Sequence, residues 1–172
     1  MTEVYLGLGS NLGNRRENMR TSLRLLARDS TIVSVSSLFE SLPLVAPGME
    51  EQPSFYNAVV KLETGLDPRA LLWRAKGIEQ SLGRRSGIRW GPRPIDVDLL
   101  VHGRARIASD LLTVPHAGMM GRAFVLVPLA EIDADLVPPG WEHSVAAMAA
   151  HVGQAGMQRL DGLEWVSGVV KG

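Results

Sequence analysis

The sequence contains no cysteine, which excludes disulfide bonds, zinc–thiolate sites and thiol nucleophiles. It also has no apolar run of membrane-spanning length, and no signal-peptide pattern precedes the strand-like residues 4–6. The formal net charge is zero, which argues against bulk binding to nucleic acid or to membranes. With 172 residues, 45% of them hydrophobic and 21% charged, the chain is expected to form a single cytoplasmic domain over residues 1–172.

Arginine dominates the basic residues, supplying 15 of the 18. A planar guanidinium that is always charged can hold phosphate oxygens through two parallel hydrogen bonds. A solvated basic loop is the alternative explanation, and it is the commoner one for an isolated cluster. Four arginines lie between residues 79 and 96 with no acidic residue among them: Arg84, Arg85, Arg89 and Arg93.

Two aspartates follow this basic segment, within a predicted strand over residues 94–101. The alternation of a strand puts Asp96 and Asp98 on one face and leaves the apolar residues between them for the core. Two adjacent carboxylates repel each other, and a divalent cation relieves that repulsion. Hard oxygen ligands of this kind suit Mg²⁺, which also binds substrate phosphates. Two surface aspartates are the alternative, which the neighbouring arginines disfavour because a magnesium–nucleotide site needs both kinds of charge.

The order of predicted elements indicates a ferredoxin-like α+β fold, with helices packed on one face of the sheet. Strands are predicted at residues 4–8, 32–39, 55–63 and 94–101. Helices are expected to begin after Asn14 and after Asp67. Further along, we expect an extended segment at 111–116, a short helix or turn within 121–132, a helix over 144–154 and a last edge strand at 160–166.

Several other side chains are candidates for binding a ligand. The glycine-rich residues 7–14 run from a strand into a helix, but they lack the lysine of a Walker A motif and are weak evidence alone. Phe55 and Asn57 project from the face of their strand opposite the core, where a ring could stack on a flat heterocycle and an amide read its edge. Packing against a helix is the alternative for both. The remaining candidates are Trp90, His116, Arg122 and Phe124.

Taken together, these segments resemble the 6-hydroxymethyl-7,8-dihydropterin pyrophosphokinase family. The resemblance extends from residue 4 to about residue 132, and the last forty residues carry no matching motif. The matching segments are GSNLG at 9–13, FYNA at 55–58, RWGPRPIDVD at 89–98, VPH at 114–116 and RAFVLVPL at 122–129.

The resemblance implies a ferredoxin-like fold and an enzyme of folate synthesis that transfers pyrophosphate from ATP to the pterin hydroxymethyl group, releasing AMP. We expect the chain to be a monomer. Asp96 and Asp98 would hold two magnesium ions, and Arg84 and Arg93 would bind and polarise the phosphates. The pterin would lie between Phe55 and Phe124, with its edge read by Asn57 and by backbone near Ser41, Leu42 and Leu44. The nucleotide would be surrounded by Glu79, Trp90, Arg93, Thr113, His116 and Arg122.

The chain departs from the family pattern at three places. It has Arg84–Arg85 where an Arg-x-Arg pair is common, and Ala117 follows His116 where some members have tyrosine. The pterin-side segment reads SLPL at residues 41–44, where a second proline is common. None of these changes removes a predicted metal ligand or stacking ring.

Two other functions remain open at this point. An Asp-x-Asp glycosyl- or nucleotidyltransferase would use the same metal chemistry, but it would release pyrophosphate or a nucleoside diphosphate instead of AMP. A non-catalytic relic could bind pterin without turnover. The intact set of Asp96, Asp98, Arg84 and Arg93 weighs against a relic.

Overall fold

The computed structural model describes residues 1–42, 52–83 and 92–170. Within these ranges no helix is both long enough and apolar enough to cross a membrane. The elements, in chain order, are β1 (Thr2–Ser10), α1 (Arg15–Leu26), β2 (Ser30–Val35), β3 (Leu38–Ser41), β4 (Phe55–Thr64), α2 (Pro68–Ser81), β5 (Asp96–His102), β6 (Ile107–Ala108), β7 (Thr113–Val114), α3 (Ala123–Ile132), α4 (Val145–Val152) and β8 (Met157–Asp161).

The main sheet is antiparallel and six-stranded. Its order is β5–β1–β4–β3–β8, and β2 pairs with the end of β4 that β3 leaves open. Because β2 and β3 together occupy the place of a single second strand, the first hundred residues have the strand order of the ferredoxin-like fold. The fold prediction is therefore confirmed.

The predicted strand at 32–39 is wrong in one respect, since it is divided into β2 and β3 at Ser36–Ser37. At the break, the Ser36 N–H donates to the Val59 carbonyl at 2.9 Å, and the Ser36 hydroxyl accepts from the Val59 N–H at 2.9 Å. A side-chain oxygen thus replaces a backbone acceptor of the ladder. The strand propensities of the residues around Ser36 could not predict this replacement, because it depends on Val59 in a distant strand.

Predicted helix starts are confirmed by their capping hydrogen bonds. The Asn14 side chain accepts from the Glu17 N–H at 3.1 Å, and that of Asp67 accepts from the Ala70 N–H at 2.8 Å. The Ser144 hydroxyl accepts from the backbone N–H of Ala147 at 3.2 Å. Each cap satisfies a backbone donor that the first helical turn leaves without a partner.

Helices cover both faces of the sheet, not one alone as expected. On the first face, α1 and α2 pack on the sheet. The core cluster there includes Leu23 of α1, Ile78 of α2 and the strand residues Leu6, Val60 and Leu99. On the second face α3 and α4 contribute to a separate cluster that includes Tyr5, Val59, Leu100, Leu126 and Val145. The second face is also the face of Asp96 and Asp98, so α3 and the aspartates share one side of the sheet.

A partly buried polar cluster holds the C-terminal end of α3 against the second face. The Tyr5 hydroxyl donates to the Asp133 carboxylate, and Lys61 forms ion pairs with Glu3 at 3.0 Å and Asp133 at 3.7 Å. Burial, followed by the hydrogen bond to Asp133, raises the pKa of Tyr5 to about 12, so the phenol stays neutral. The opposite end of α3 carries Phe124.

The C-terminal segment differs from its prediction. The last strand is β8 at Met157–Asp161, which pairs with β3, and residues Leu163–Val166 form a 3₁₀ turn instead of continuing the strand. The reason is Trp165, which is only 1% exposed and packs into the cluster of the first face. Its indole N–H donates to the Ser36 carbonyl at 2.9 Å, and Arg20 donates to its carbonyl at 2.6 Å.

We expect Trp165→Ala to lower the free energy of unfolding by about 3–5 kcal/mol, because it removes a large buried ring and leaves a cavity. Trp165→Phe keeps most of the apolar volume and should have a smaller effect. Urea denaturation of both variants measures the difference. A loss below about 1 kcal/mol for the alanine variant would show that the C-terminal segment is not part of the core.

Candidate active site

A cavity of about 270 Å³ opens on the second face of the sheet. Strands β1, β4 and β5 form its floor, and the first turn of α3 forms one wall. Most of its lining side chains are polar, charged or aromatic, or are absent because the residue is glycine. The residues that line the cavity include Gly7, Gly9, Ser41, Leu42, Gln52, Phe55, Asn57, Arg93, Asp96, Asp98, His116, Arg122 and Phe124.

Strand register explains why this part of the sheet is open. Gly9 lies opposite both Asp96 and Asn57, and Gly7 lies opposite Asp98. Directly opposite residues of antiparallel strands share a face, so the glycines place no side chain beside the two carboxylates and the amide. A Cβ at Gly9 would lie 3.4 Å from Asn57 Oδ1 and 3.5 Å from a Phe55 ring carbon. A side chain there would therefore occupy the cavity.

Arg93 lies beside the carboxylates and is held by its backbone and its side chain. Its guanidinium Nη1 donates to Asp96 Oδ1 at 3.0 Å. Its N–H donates to Asn11 Oδ1 at 2.7 Å, and its carbonyl accepts from the Asn11 N–H at 3.0 Å. Asp96 is partly buried, whereas Asp98 is exposed. The site thus has a fixed cation next to two carboxylates that face the cavity.

At the other end of the cavity, Asn57 is 4% exposed and donates through Nδ2 to the Ser41 hydroxyl at 2.6 Å. Phe55 and Phe124 line the same space and are only partly buried. The Leu42 N–H donates to the Gly156 carbonyl at 3.2 Å, so any backbone hydrogen bond from Leu42 to a ligand has to use its carbonyl. Two rings and a buried amide suit a flat, polar heterocycle.

A second cavity of about 380 Å³ adjoins the first and shares Arg93, Asp98 and His116 with it. Glu79 and Thr113, which are predicted nucleotide contacts, line this second space. Glu79 is 6% exposed and accepts from the Val97 N–H at 3.0 Å, which ties α2 to β5. The two cavities are therefore adjacent, and the side chains of Arg93, Asp98 and His116 form the boundary between them.

His116 stands at this boundary as a neutral hydrogen-bond donor. Its Nδ1 accepts from the Gly118 N–H at 3.1 Å, so the proton of the neutral ring lies on Nε2. Burial, and then the nearby Arg122 guanidinium, lower the pKa of His116 below its ordinary value of 6.5. At pH 7 the imidazole is therefore uncharged. Arg122 itself lies 5.8 Å from the centre of the Phe124 ring.

Most of the predicted site residues meet in these two cavities. Ser41, Leu42, Phe55, Asn57, Phe124, Asp96 and Asp98 line the first, together with Arg93, His116 and Arg122; Glu79 and Thr113 line the second. Three predicted residues lie outside the described ranges, namely Leu44, Arg84 and Trp90.

Some cavity residues were not among the predictions. Lys76 lines the second cavity beside Leu72 and Glu79, and the helical spacing of 72, 76 and 79 was the signal that could have placed it there. Gln52 lines the first cavity and accepts a hydrogen bond from Asn11 at 3.2 Å. Asn11 lies within the predicted GSNLG segment, but its contacts depend on two distant parts of the chain, so sequence spacing could not reveal them.

The fold and the site together define a ferredoxin-like α+β protein whose sheet carries a cavity with an acidic pair, an arginine and two aromatic rings. Residues 5–134 match the family described as 7,8-dihydro-6-hydroxymethylpterin-pyrophosphokinase (HPPK), and the chain belongs to this family. The matched range agrees closely with the resemblance seen in the sequence.

Two relatives show how the chain compares in length. It is 41% identical over 161 residues to the 2-amino-4-hydroxy-6-hydroxymethyldihydropteridine pyrophosphokinase of Pseudomonas aeruginosa, covering 92% of this chain and 97% of that protein. It is 43% identical over 166 residues to a mitochondrial folate synthesis bifunctional protein of Arabidopsis thaliana, covering 93% of this chain. The chain spans only 29% of the length of that bifunctional relative.

Solved structures agree with the fold. An HPPK-DHPS protein crystallised in complex with substrates superimposes with a TM-score of 0.74 over 92% of this chain and 46% of that one. The sequence identity is 14%, so this similarity concerns the fold alone.

Proposed function

We propose that this chain transfers a pyrophosphoryl group from ATP to the hydroxymethyl group of 6-hydroxymethyl-7,8-dihydropterin. One observation carries the proposal: a single cavity combines the Asp96–Asp98 pair with the ring and amide groups of Phe55, Asn57 and Phe124. A site for a phosphate chain and a site for a flat heterocycle therefore lie side by side. The family description and the name of the Pseudomonas relative support the same reaction.

Asp96 and Asp98 would hold two magnesium ions. The donor set fits, because Mg²⁺ takes oxygen ligands and is usually bound by one or two carboxylates, with water and substrate phosphates completing its shell. Within the described ranges, no group of three or more acidic, histidine or cysteine side chains is suited to hold a metal ion. When bound, magnesium supplies charge neutralisation on the phosphate oxygens.

The protein's own residues position the reactants. The hydroxymethyl oxygen attacks the β-phosphorus of ATP, the bond from that phosphorus to the α–β bridging oxygen breaks, and AMP leaves with that oxygen while the hydroxyl proton passes to water. Arg93 neutralises charge on the transferred group, and the Nε2–H of His116 donates to a phosphate oxygen. We assign no residue as a strong base, so catalysis rests on alignment and on charge compensation.

The residues that line each cavity indicate which substrate it binds, and the first cavity takes the pterin. Phe55 and Phe124 stack on the pterin, and Asn57 reads its edge together with backbone at Ser41 and Leu42. The second cavity takes the nucleotide, with Glu79 and Thr113 around it, and Arg122 is a further nucleotide contact that lies in the lining of the first cavity. Roles for Leu44, Arg84 and Trp90 rest on the family resemblance only.

The deciding experiment mixes purified protein, Mg·ATP and the reduced pterin alcohol, and identifies the nucleotide product by chromatography. AMP formed in step with pterin pyrophosphate is expected. Release of ADP or pyrophosphate would contradict the proposal and favour another Asp-x-Asp transferase, whereas pterin binding without any product would indicate a relic. Sedimentation and cell fractionation test the predicted monomer and cytoplasmic location.

Truncating either ring should weaken pterin binding and leave nucleotide binding almost unchanged. Stacking on an aromatic side chain contributes about 1–3 kcal/mol per nucleic-acid base, so Phe55→Ala and Phe124→Ala should each weaken pterin affinity roughly ten- to a hundredfold. Calorimetry in the presence of α,β-methylene ATP measures this affinity. Phe124→Tyr keeps a ring and serves as the control. Unchanged pterin affinity in both alanine variants would show that the rings only pack in the core.

A further inference from the structure

We propose that Asn11 is a positioning residue that joins the two sides of the active-site cavity. Its side chain is buried, with 1% exposure, and lies between two segments that are far apart in sequence. On one side its Oδ1 accepts from the Arg93 N–H at 2.7 Å. On the other side its Nδ2 donates to Gln52 Oε1 at 3.2 Å and to the Pro53 carbonyl at 3.3 Å.

Chemistry fixes the orientation of this amide. The Arg93 backbone N–H can only donate, so the oxygen of Asn11 has to face it, and the NH₂ group then faces residues 52–53. A second bond, from the Asn11 N–H to the Arg93 carbonyl at 3.0 Å, locks the same pair of residues. The Pro53 carbonyl can only accept, so no other orientation satisfies both sides.

Each segment leads directly to a site residue. Residues 52–53 run into β4, where Phe55 and Asn57 line the cavity. Arg93 contacts Asp96 at 3.0 Å and lines both cavities. Asn11 thus sets the distance between the ring end and the phosphate end of the cavity. This inference rests on the proposed function for its meaning, although its structural part can be tested without substrate.

A purely structural role would have a different signature. A buried asparagine that only stabilises the fold would, when replaced, lower stability and loosen its surroundings without distinguishing the two sides. A positioning amide has an acceptor oxygen and a donor NH₂ group, and a substitution can remove the donor while keeping the acceptor. The Asn11→Asp variant would keep the acceptor for the Arg93 N–H but lose the donors to residues 52–53, and the Asn11→Ala variant would lose both.

The experiment compares Asn11→Ala and Asn11→Asp with Asn18→Ala as the matched control. Asn18 lies in the neighbouring helix α1. Among the described residues its side chain donates to the Leu12 carbonyl at 2.9 Å and to the Ser10 hydroxyl at 3.5 Å, and not to residues 52–53 or 93. Amide hydrogen exchange of the ligand-free proteins, read by NMR, reports on the Arg93 N–H. We expect at least about tenfold faster Arg93 exchange in Asn11→Ala, and wild-type protection in Asn11→Asp and Asn18→Ala.

Pterin affinity, measured by calorimetry with saturating α,β-methylene ATP, reports on the other side. Both Asn11 variants should bind the pterin alcohol about tenfold more weakly, and Asn18→Ala should bind it normally. Equal Arg93 exchange in Asn11→Ala and wild type, loss of protection in Asn11→Asp, or unchanged pterin affinity would each overturn the proposal. If wild type binds both ligands but forms no AMP, the proposed function fails, while the exchange data still decide the structural role of Asn11.

Discussion

Replacing Asp98 or Asp96 with asparagine is expected to reduce turnover by roughly a hundred- to a thousandfold, which is the order of effect seen when charge stabilisation is removed from a transition state. Asparagine keeps the shape of the side chain and removes its negative charge, so the change tests the carboxylates themselves. Both side chains line the cavity on the face left open by Gly7 and Gly9.

The two variants should also differ from wild type in how their rates depend on the Mg²⁺ concentration. Rates of wild type and variants, measured over a range of Mg²⁺ concentrations, should show that added metal fails to restore the variants. Asp135→Asn, an exposed site outside the cavity, controls for the change in net charge. Near-normal activity of both variants at physiological magnesium would contradict the metal assignment.

The same variants should fold normally, and their stability in chelator should be close to that of wild type. Removing one of two adjacent carboxylates relieves repulsion in the metal-free protein. Asp96→Asn also loses its ion pair with Arg93, a contribution of less than about 1 kcal/mol for a partly exposed pair. Chemical denaturation in chelator separates this small effect from the loss of turnover.

Arg93→Ala is expected to lower kcat/KM by about a hundred- to a thousandfold and to weaken nucleotide binding as well. The guanidinium lies at the boundary of both cavities, and its backbone is held by Asn11 and flanked by Pro92 and Pro94. A cation fixed in this way would contact phosphate in the ground state and in the transition state alike, so both parameters should fall together.

Single-turnover rates and equilibrium nucleotide affinities test this expectation. Arg93→Lys should recover only part of the activity, because a single ammonium cannot reproduce the two-pronged geometry of guanidinium. The family resemblance predicts a contrast with Arg84→Ala, which should reduce kcat far more than it weakens ATP binding. If Arg93→Ala lost rate but kept wild-type nucleotide affinity, a fixed ground-state contact at this position would be ruled out.

Local sequence patterns were sufficient to predict much of the framework of this protein. The period of two along residues 94–101 put Val97 and Leu99 in the core and the two aspartates on the opposite face, because successive side chains of a strand alternate. The predicted caps at Asn14 and Asp67 marked helix starts, since a cap bonds to a backbone group only three residues away. The helix predicted from residue 144 has such a cap at Ser144. These features depend on near neighbours in the chain.

The residues of the candidate site were partly predictable, because each of them lies in a short segment whose pattern can be recognised by itself. Side-chain chemistry and family motifs selected Phe55, Asn57, Asp96 and Phe124 one segment at a time, and the assembled sheet brings their segments to one cavity. The pairing of Gly9 with both Asn57 and Asp96, which creates the open floor, needed the register of three strands.

Tertiary structure alone decided the features that depend on distant partners. The break at Ser36 uses a carbonyl and an N–H of Val59, and Trp165 turns the C-terminal segment inward because the core of the first face accepts its ring. The link through Asn11 joins residues 52–53 to residue 93. Local preferences constrain only a few consecutive residues, whereas burial and hydrogen bonding across the chain are satisfied only when all the strands and helices pack together.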